Sequence, residues 1–466
     1  MPHAAKNYDV IVIGSGSGAI VAELALWRGL SVALVEQGLL GGTCLNVGCV
    51  PSKLLIHPAD RIVQAQESAK LGISAQVTGI DFPAIMKRMR AAVKEGRDYI
   101  RDGLGKTSIA LYQTEAHFVA DHTLDVSGER IHGDRVFIVA GARPAIPPIP
   151  GLDDVAYLTN ESVLALDEAP ASLLILGGGY IAVEYAHFFA AMGTRVTILE
   201  RLHRLVADEE PELSLILERK LAERLTLYTD TEGFEAKRSG DGVVLLGRNL
   251  VTGRVSEFAA ERLMVATGRQ PNAGRLRPQA TGVETDARGY IKVNGYLETS
   301  KANVWAFGDV IGKRMFIHVA NQEALLAWHN SIHEDKAEMD YSAAPHAVFT
   351  HPQLAAVGLT EAEARKSHNI LVGKADYQQV VAGEAMLEAD GLAKAIVDKD
   401  SGKILGFHVI GPHATIVIQE VIGVMANRGN VNSITSAMHI HPALPELIVA
   451  TLQSLKEPDT PARGSS

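Results

Sequence analysis

The feature that most restricts the fold is a unit that the chain carries twice. The first copy, "DVIVIGSGSGAIVAELALWRGLSVALVEQ", leads an apolar strand, Val10 to Ile13, into Gly14-Ser15-Gly16-Ser17-Gly18-Ala19. A helical pattern follows, then a second strand ending at Glu36. The second copy, "SLLILGGGYIAVEYAHFFAAMGTRVTILER", runs from Leu173 to Leu176 into Gly177-x-Gly179-x-x-Ala182, a helix and a strand ending at Glu200. Glycines at this spacing let the backbone turn tightly and approach a pyrophosphate that rests on helix N-terminal amides. An acid about 20 positions on is placed to hydrogen-bond a ribose hydroxyl. One glycine-rich turn alone can be a chance feature, but strand, turn, helix, strand and terminal acid together are far more specific. Two such units imply two cofactors facing each other, with hydride passing between them. Two nicotinamides would accomplish little, so one is expected to be a flavin.

A chain of 466 residues is too long for one ordinary core, which predicts two to four domains. Each unit is followed by a strand, a glycine, an arginine and a proline, in "DRVFIVAGARPAIPPIPGL" and in "ERLMVATGRQPN". "NVWAFGDV" adds a strand with Asp309 at its C-terminal end, where ligands of such sheets bind. From about Tyr341 the pattern changes to antiparallel strands plus helices, a separate α+β domain. The closing "KEPDTPARGSS" reads as a frayed polar tail. A net charge of −10 without blocks of one sign argues against a nucleic-acid face or a polybasic membrane anchor. No uninterrupted apolar run reaches about 18 residues, so no membrane span is expected. Asp9 and Glu23 in the apolar N-terminal stretch argue against a signal peptide.

Both cysteines of the chain, Cys44 and Cys49, lie in "GGTCLNVGCVPSK". In an ideal helix residues five apart have Cα atoms about 8.7 Å apart, whereas a disulfide needs about 6.8 Å or less. If the two bond, the segment is not regular helix throughout. Gly41, Gly42 and Gly48 supply the freedom, and Pro51 limits regular helix from its first turn. As a staple the bond would close a loop too short to stabilise much. Zinc is disfavoured by the spacing and by the lack of a third cysteine, so no metal site is expected. A redox couple is the better reading than incidental thiols. Two cysteines in so long a chain suit a reducing compartment, and a cytoplasmic protein is expected.

The doubled unit, the cysteine segment, "ATGRQPN" and "AFGD" together resemble the pyridine-nucleotide-disulfide oxidoreductases. That flavoprotein group includes dihydrolipoamide dehydrogenase, glutathione reductase, mycothione reductase and mercuric reductase. The resemblance spans nearly the whole chain. It implies an α/β, glutathione-reductase-like fold with two Rossmann-like domains, for FAD and NAD(P), plus a C-terminal α+β dimerisation domain, assembled as a homodimer. The matching division is 1–147 for the first part of the FAD domain and 148–268 for the NAD(P) domain. Residues 269–340 would complete the FAD region, and 341–466 would form the interface domain and tail. By the same resemblance Gly14, Gly16 and Glu36 hold the adenosine diphosphate end of FAD, with Gly42, Thr43 and Gly141 also at that cofactor. Asp309 bonds its ribityl chain. Lys53 stands beside flavin N5, with Glu184 as its ion-pair partner. Gly177, Gly179, Glu200 and Gly268 belong to the nicotinamide nucleotide, and Tyr180 matches the position that covers the nicotinamide pocket.

The resemblance also implies roles in the chemistry. Electrons pass between NADH and the Cys44–Cys49 couple by way of FAD. Cys49 is the flavin-side thiol, and Cys44 exchanges with the substrate. Thiol exchange needs a proton acceptor tuned near neutrality. His441 in "HIHPALPEL" matches the family base, with Glu446 orienting its ring, and acts on the cysteines of the other subunit. Ala443 and Pro445 replace the family's Thr and Ser, which is closer to mycothione reductases. "HIHP" is closer to dihydrolipoamide dehydrogenases, and His439 within it is given no role. Glu200 favours NAD, while Arg201, His203 and Arg204 keep NADP open. Mercuric reductase and high-molecular-weight thioredoxin reductase are disfavoured because no C-terminal redox cysteines follow. The expectation is a dihydrolipoamide dehydrogenase. The alternatives are an NADPH-dependent reductase of a small disulfide such as mycothione, and a non-catalytic flavin redox sensor.

Overall fold

In the computed structural model, which describes residues 5–458, each copy of the unit becomes part of a run of parallel strands in its own sheet, and the first sheet adds Thr123–Val126 and Ala116–Ala120 antiparallel at one edge. The first sheet places Ala110–Tyr112, Val32–Val35, Lys6–Ile13 and Glu129–Ile138 side by side. The second repeats this order with Thr226–Tyr228, Arg195–Leu199, Ser172–Leu176 and Arg262–Val265. These strands pair parallel throughout. Val10, Ile11 and Val12, like Leu173 and Ile175, are fully buried, as befits short apolar strands covered on both faces by crossover segments.

The repetition extends to single hydrogen bonds. Gly14 N–H donates to Val35 O and Gly177 N–H to Leu199 O, each at 2.8 Å. Glu36 N–H donates to Tyr112 O at 2.9 Å and Glu200 N–H to Tyr228 O at 2.8 Å. Both acids therefore stand one residue beyond their strands, at the sheet edge that faces a ligand. Val304–Ala306 returns to the first sheet, parallel to Glu129–Ile138. A three-stranded antiparallel sheet, Thr231–Ser239, Gly242–Asn249 and Val255–Ala260, covers the second and buries Leu245 against Leu174, Leu199 and Leu263.

Two long helices, Cys49–Glu67 and Phe82–Leu104, pack beside the sheets. The second starts at Asp81, whose side chain accepts from Ala84 N–H at 2.9 Å, with Pro83 where no intrahelical donor is needed. Its buried residues Phe82, Met86, Met89 and Val93 recur every three to four positions. They share one core with Leu55, Ala59 and Val63 of the first helix and Phe188 and Phe189 of the helix Tyr180–Ala191. This core fixes the cysteine-bearing helix against the second nucleotide unit.

From Pro345 onward the chain forms a five-stranded antiparallel sheet in the order Pro345–Val348, Gln353–Gly358, Ile404–Gly411, Leu392–Asp398, Ile370–Asp376. The tail differs from the expected frayed end at its start. Lys456 exchanges backbone hydrogen bonds with Val372 at 2.9 and 3.1 Å, so strand pairing holds it. Residues 459–466 lie outside the described ones. Among the described residues no helix is long and apolar enough to cross a membrane.

Candidate redox site

The cysteine segment breaks where its glycines allow. The helix Gly42–Val47 starts after Gly41, at φ 95°, and stops at Gly48, after which Cys49–Glu67 begins. A Cβ on Gly48 would stand 3.0 Å from Thr43 O, so the kink leaves little room for a side chain. Both cysteines are free thiols; Cys44 is half-buried and Cys49 exposed. The Cys44 thiol is hydrogen-bonded to Cys49. That bond pulls the Cys49 pKa down to about 7, with the Lys53 charge adding to it. The same bond, with burial, pushes Cys44 up. The arrangement makes Cys49, and not Cys44, the thiol that ionises first.

Lys53, one turn along the helix from Cys49, meets Glu184 from the helix Tyr180–Ala191 at 2.8 and 3.0 Å. Burial raises the Glu184 carboxyl, and Lys53 opposes that rise. Phe349, from the C-terminal region, donates its N–H to Glu184 Oε1 at 3.0 Å and places its ring 4.2 Å from the Lys53 ammonium.

One cavity of about 2270 Å³ reaches Gly14, Gly16, Glu36, Gly42, Thr43, Cys44, Cys49, Lys53, Gly141 and Asp309. It also reaches Gly177, Gly179, Tyr180, Glu184, Glu200 and Gly268. Its two ends are built alike. A Cβ on Gly14 would lie 2.2 Å from Val139 O, and one on Gly177 would lie 2.4 Å from Ala266 O. A Cβ on Gly141, Gly179 or Gly268 would meet nothing within 4 Å, which leaves backbone open to a ligand. Glu36 accepts from Ser15 N–H at 2.9 Å and Gly38 N–H at 2.8 Å. Glu200 accepts from Gly178 N–H and, at 2.8 Å, from Leu202 N–H. Each acid thus braces its own glycine turn. Two glycine cradles on one cavity, with a thiol pair between them, fit two dinucleotides.

Asp309 pairs with Arg269 at 3.3 Å; burial pushes its carboxyl up, against the pull of Arg269. The turn carrying Asp309 is held from behind by Glu323, which is fully buried. Glu323 accepts from Gly308 N–H at 2.7 Å and from Tyr341 Oη at 2.6 Å.

His441 Nδ1 bonds Glu446 Oε1 at 2.9 Å, and Glu446 Oε2 accepts from Ala443 N–H at 2.9 Å. That backbone bond first, then the histidine, holds the Glu446 carboxyl below its usual range. The His441 side chain is 68% exposed, and neither residue lines the cavity of its own chain. Residues outside the sequence expectation also shape the site: Arg269 beside Asp309, Glu323 behind its turn, Phe349 against Lys53 and Glu184, and Glu209 with His346, bonded to each other next to Tyr180. Arg269 had a local signal, the motif "ATGRQPN"; the others arrive from distant segments with no fixed spacing to report them.

Fold and site together define an oxidoreductase that serves two dinucleotides and carries electrons on a thiol pair. The chain belongs to the pyridine nucleotide-disulphide oxidoreductases: residues 8–324 match that family and residues 344–452 its dimerisation domain. It is accordingly an FAD-dependent enzyme that uses a nicotinamide nucleotide and pairs with a second copy. It is 34% identical to a mycothione reductase of Mycobacterium tuberculosis over 97% of this chain and 100% of that one. It is also 34% identical to a mercuric reductase of Staphylococcus aureus, over 88% and 76%. Among solved structures it is similar to a Cu(II) complex of the HOCl-induced flavoprotein disulfide reductase RclA of Escherichia coli, with TM-score 0.85 and 28% identity over 96% and 99% of the two chains.

Proposed function

We propose that the chain is a dihydrolipoamide dehydrogenase, exchanging electrons between NAD(H) and a substrate dithiol through Cys44 and Cys49. The observation that carries the thiol role is the hydrogen-bonded pair itself, with Cys49 near pKa 7 beside Lys53. Glu200 at the second cradle and the His439-x-His441-Pro442 pattern support the NAD and lipoamide choice.

In the oxidised enzyme Cys44 and Cys49 are joined. A substrate thiolate, its proton taken by His441 of the partner subunit, attacks the Cys44 sulfur and releases Cys49 as thiolate. The second substrate thiol, deprotonated in turn, attacks the first substrate sulfur and releases Cys44. Substrate leaves as a cyclic disulfide, and the enzyme holds two extra electrons as its dithiol. Bound FAD supplies the two-electron path from the dithiol to NAD+, closing the balance at dihydrolipoamide + NAD+ → lipoamide + NADH + H+. Lys53 and Glu184 fix the cofactor-facing wall beside Cys49. Glu446 holds the His441 ring through Nδ1, leaving Nε2 for the proton.

Within this reading residues 1–147 and 269–340 hold FAD, 148–268 hold NAD, and 341–466 form the interface. The enzyme works in the cytoplasm, which suits a chain whose two cysteines form a redox couple and not a structural staple. A second reading, an NADPH-dependent reductase of a small disulfide such as mycothione, is favoured by Arg201, exposed and on the cavity beside Glu200, and by Ala443 and Pro445. A steady-state screen of NADH and NADPH with lipoamide, oxidised glutathione, mycothione, mercuric ion and Cu(II) decides. Turnover of NADH with lipoamide is expected. Turnover with mycothione alone would establish the second reading, and no substrate-dependent oxidation would leave a flavin sensor.

A further inference from the structure

Tyr180 follows Gly179 directly and lies half-buried on the cavity. Its Oη donates to Glu209 Oε1 at 3.0 Å. His346 Nε2 meets that same oxygen at 2.7 Å. The other oxygen, Oε2, is buried and has no partner among the described residues, and Glu209 as a whole is 2% exposed. A carboxylate so buried is costly to leave without donors, and here its described side-chain donors converge on one atom.

Both neighbours are held in place. The loop reaching Glu209 turns at Val206, a β-branched residue at φ 40°, a backbone state such residues rarely adopt. Val206 N–H donates to Gly178 O and Glu209 N–H to Val206 O, each at 2.9 Å, so the loop is tied to the glycine turn. His346 belongs to the first strand of the C-terminal sheet. Its ring stacks on Phe316 at 5.7 Å and lies 5.9 Å from the Tyr180 ring.

We propose that Glu209 holds the Tyr180 ring closed over the nicotinamide pocket, and that His346 is the positioning residue that keeps Glu209 bonded when the ring leaves. This rests on reading Tyr180 as the cover of that pocket. Entry of the nicotinamide ring breaks the Tyr180–Glu209 bond, after which His346 is the remaining side-chain donor to the carboxylate. Apparent affinity scales with the fraction of protein whose pocket is open. The two donors therefore act with opposite signs. Tyr180→Phe removes the bond that must break and tightens nucleotide binding. His346→Ala makes Tyr180 the sole side-chain donor, so opening strands a buried carboxylate, and binding weakens. A hydrogen bond to a charged acceptor corresponds to about tenfold in each direction.

The test is the equilibrium dissociation constant of NAD+ and of NADP+ for the FAD-loaded dimer, by titration calorimetry. Tyr180→Phe is expected to tighten binding about tenfold and His346→Ala to weaken it about tenfold. His346→Gln, which keeps an N–H donor, is expected to lie near the parent. Shifts of the same sign in Tyr180→Phe and His346→Ala, or no shift in either, overturn the proposal. If His346→Ala fails to fold, Tyr180→Phe and Glu209→Gln decide: both must tighten binding, and failure of either overturns it. Tyr180→Ala tests the cover separately, since an unchanged affinity there removes the reading of Tyr180 itself. A changed affinity in Tyr180→Ala beside an unmoved Tyr180→Phe removes only the role of Glu209.

Discussion

Gly42 approaches Gly16 so closely that a Cβ added to Gly42 would stand 2.8 Å from the Gly16 Cα. The nucleotide turn and the cysteine segment are thus in backbone contact, and neither side has a side chain that could yield. Gly42 also sits at φ 64°. Gly42→Ala is expected to cost about 2–4 kcal/mol, from overpacking and left-handed strain together. Thermal unfolding and the FAD content of the purified protein measure it; unchanged values in both would mean that the contact is looser than described.

The Cys49 pKa predicts how the reduced enzyme reacts with pH. Cys49 is thiolate above about pH 7 and is protonated as pH falls through that value. Alkylation of Cys49 by iodoacetamide, followed by peptide mass spectrometry, should rise across that midpoint. The donor bond from Cys44 is the largest cause of the low value. Cys44→Ala should therefore move the midpoint toward the ordinary thiol value of about 8.5 and slow the reaction at pH 7 about tenfold. An unmoved midpoint would assign the effect to Lys53 instead.

Lys53→Met strands the buried Glu184 carboxylate. Because the Lys53 side chain is 36% exposed, the expected loss is about 1–2 kcal/mol rather than that of a fully buried pair. Without Lys53 the Glu184 carboxyl, already raised by burial, rises further. The deficit is then largest at high pH, where the group must ionise, and shrinks as protonation sets in. Denaturant unfolding of Lys53→Met, Glu184→Gln and the double variant should recover most of the loss in the double variant.

Exposed His441, off the cavity of its own chain, gives a test by mixing. Homodimers of Cys44→Ala and of His441→Ala should each lose nearly all disulfide turnover. A dimer of one chain of each holds one intact site if His441 serves the partner's cysteines, and none if it serves its own. Recovered activity in the purified mixed dimer, against none in either parent, is the expected result.

What the sequence disclosed was what the backbone determines locally. Gly14 and Gly177 were legible because a tight turn under a close carbonyl requires glycine at a fixed distance from the strand. The break between Cys44 and Cys49 was legible because Gly48 stands between them, where a backbone without a Cβ is free to leave the helix. The three-stranded sheet Thr231–Asn249–Ala260 was not read, because short alternating strands over a neighbour's core look like any surface hairpin. Glu209 and His346 lie 137 positions apart, and Glu323 sits within a helix whose burial no periodicity reported. Such pairings arise only when separate elements pack. The polar "KEPD" likewise hid the pairing of Lys456 with Val372, since a strand edge selects backbone rather than side chain.

Glu36 and Glu200, each already bonded to the amides of its own glycine turn, have a consequence for binding. Both cradles are preorganised when the chain folds, so a dinucleotide has no loop to order on arrival and loses little conformational entropy there. If the Tyr180 ring covers the nicotinamide pocket as proposed, the two ends of the cavity should differ in on-rate although their glycine turns are built alike.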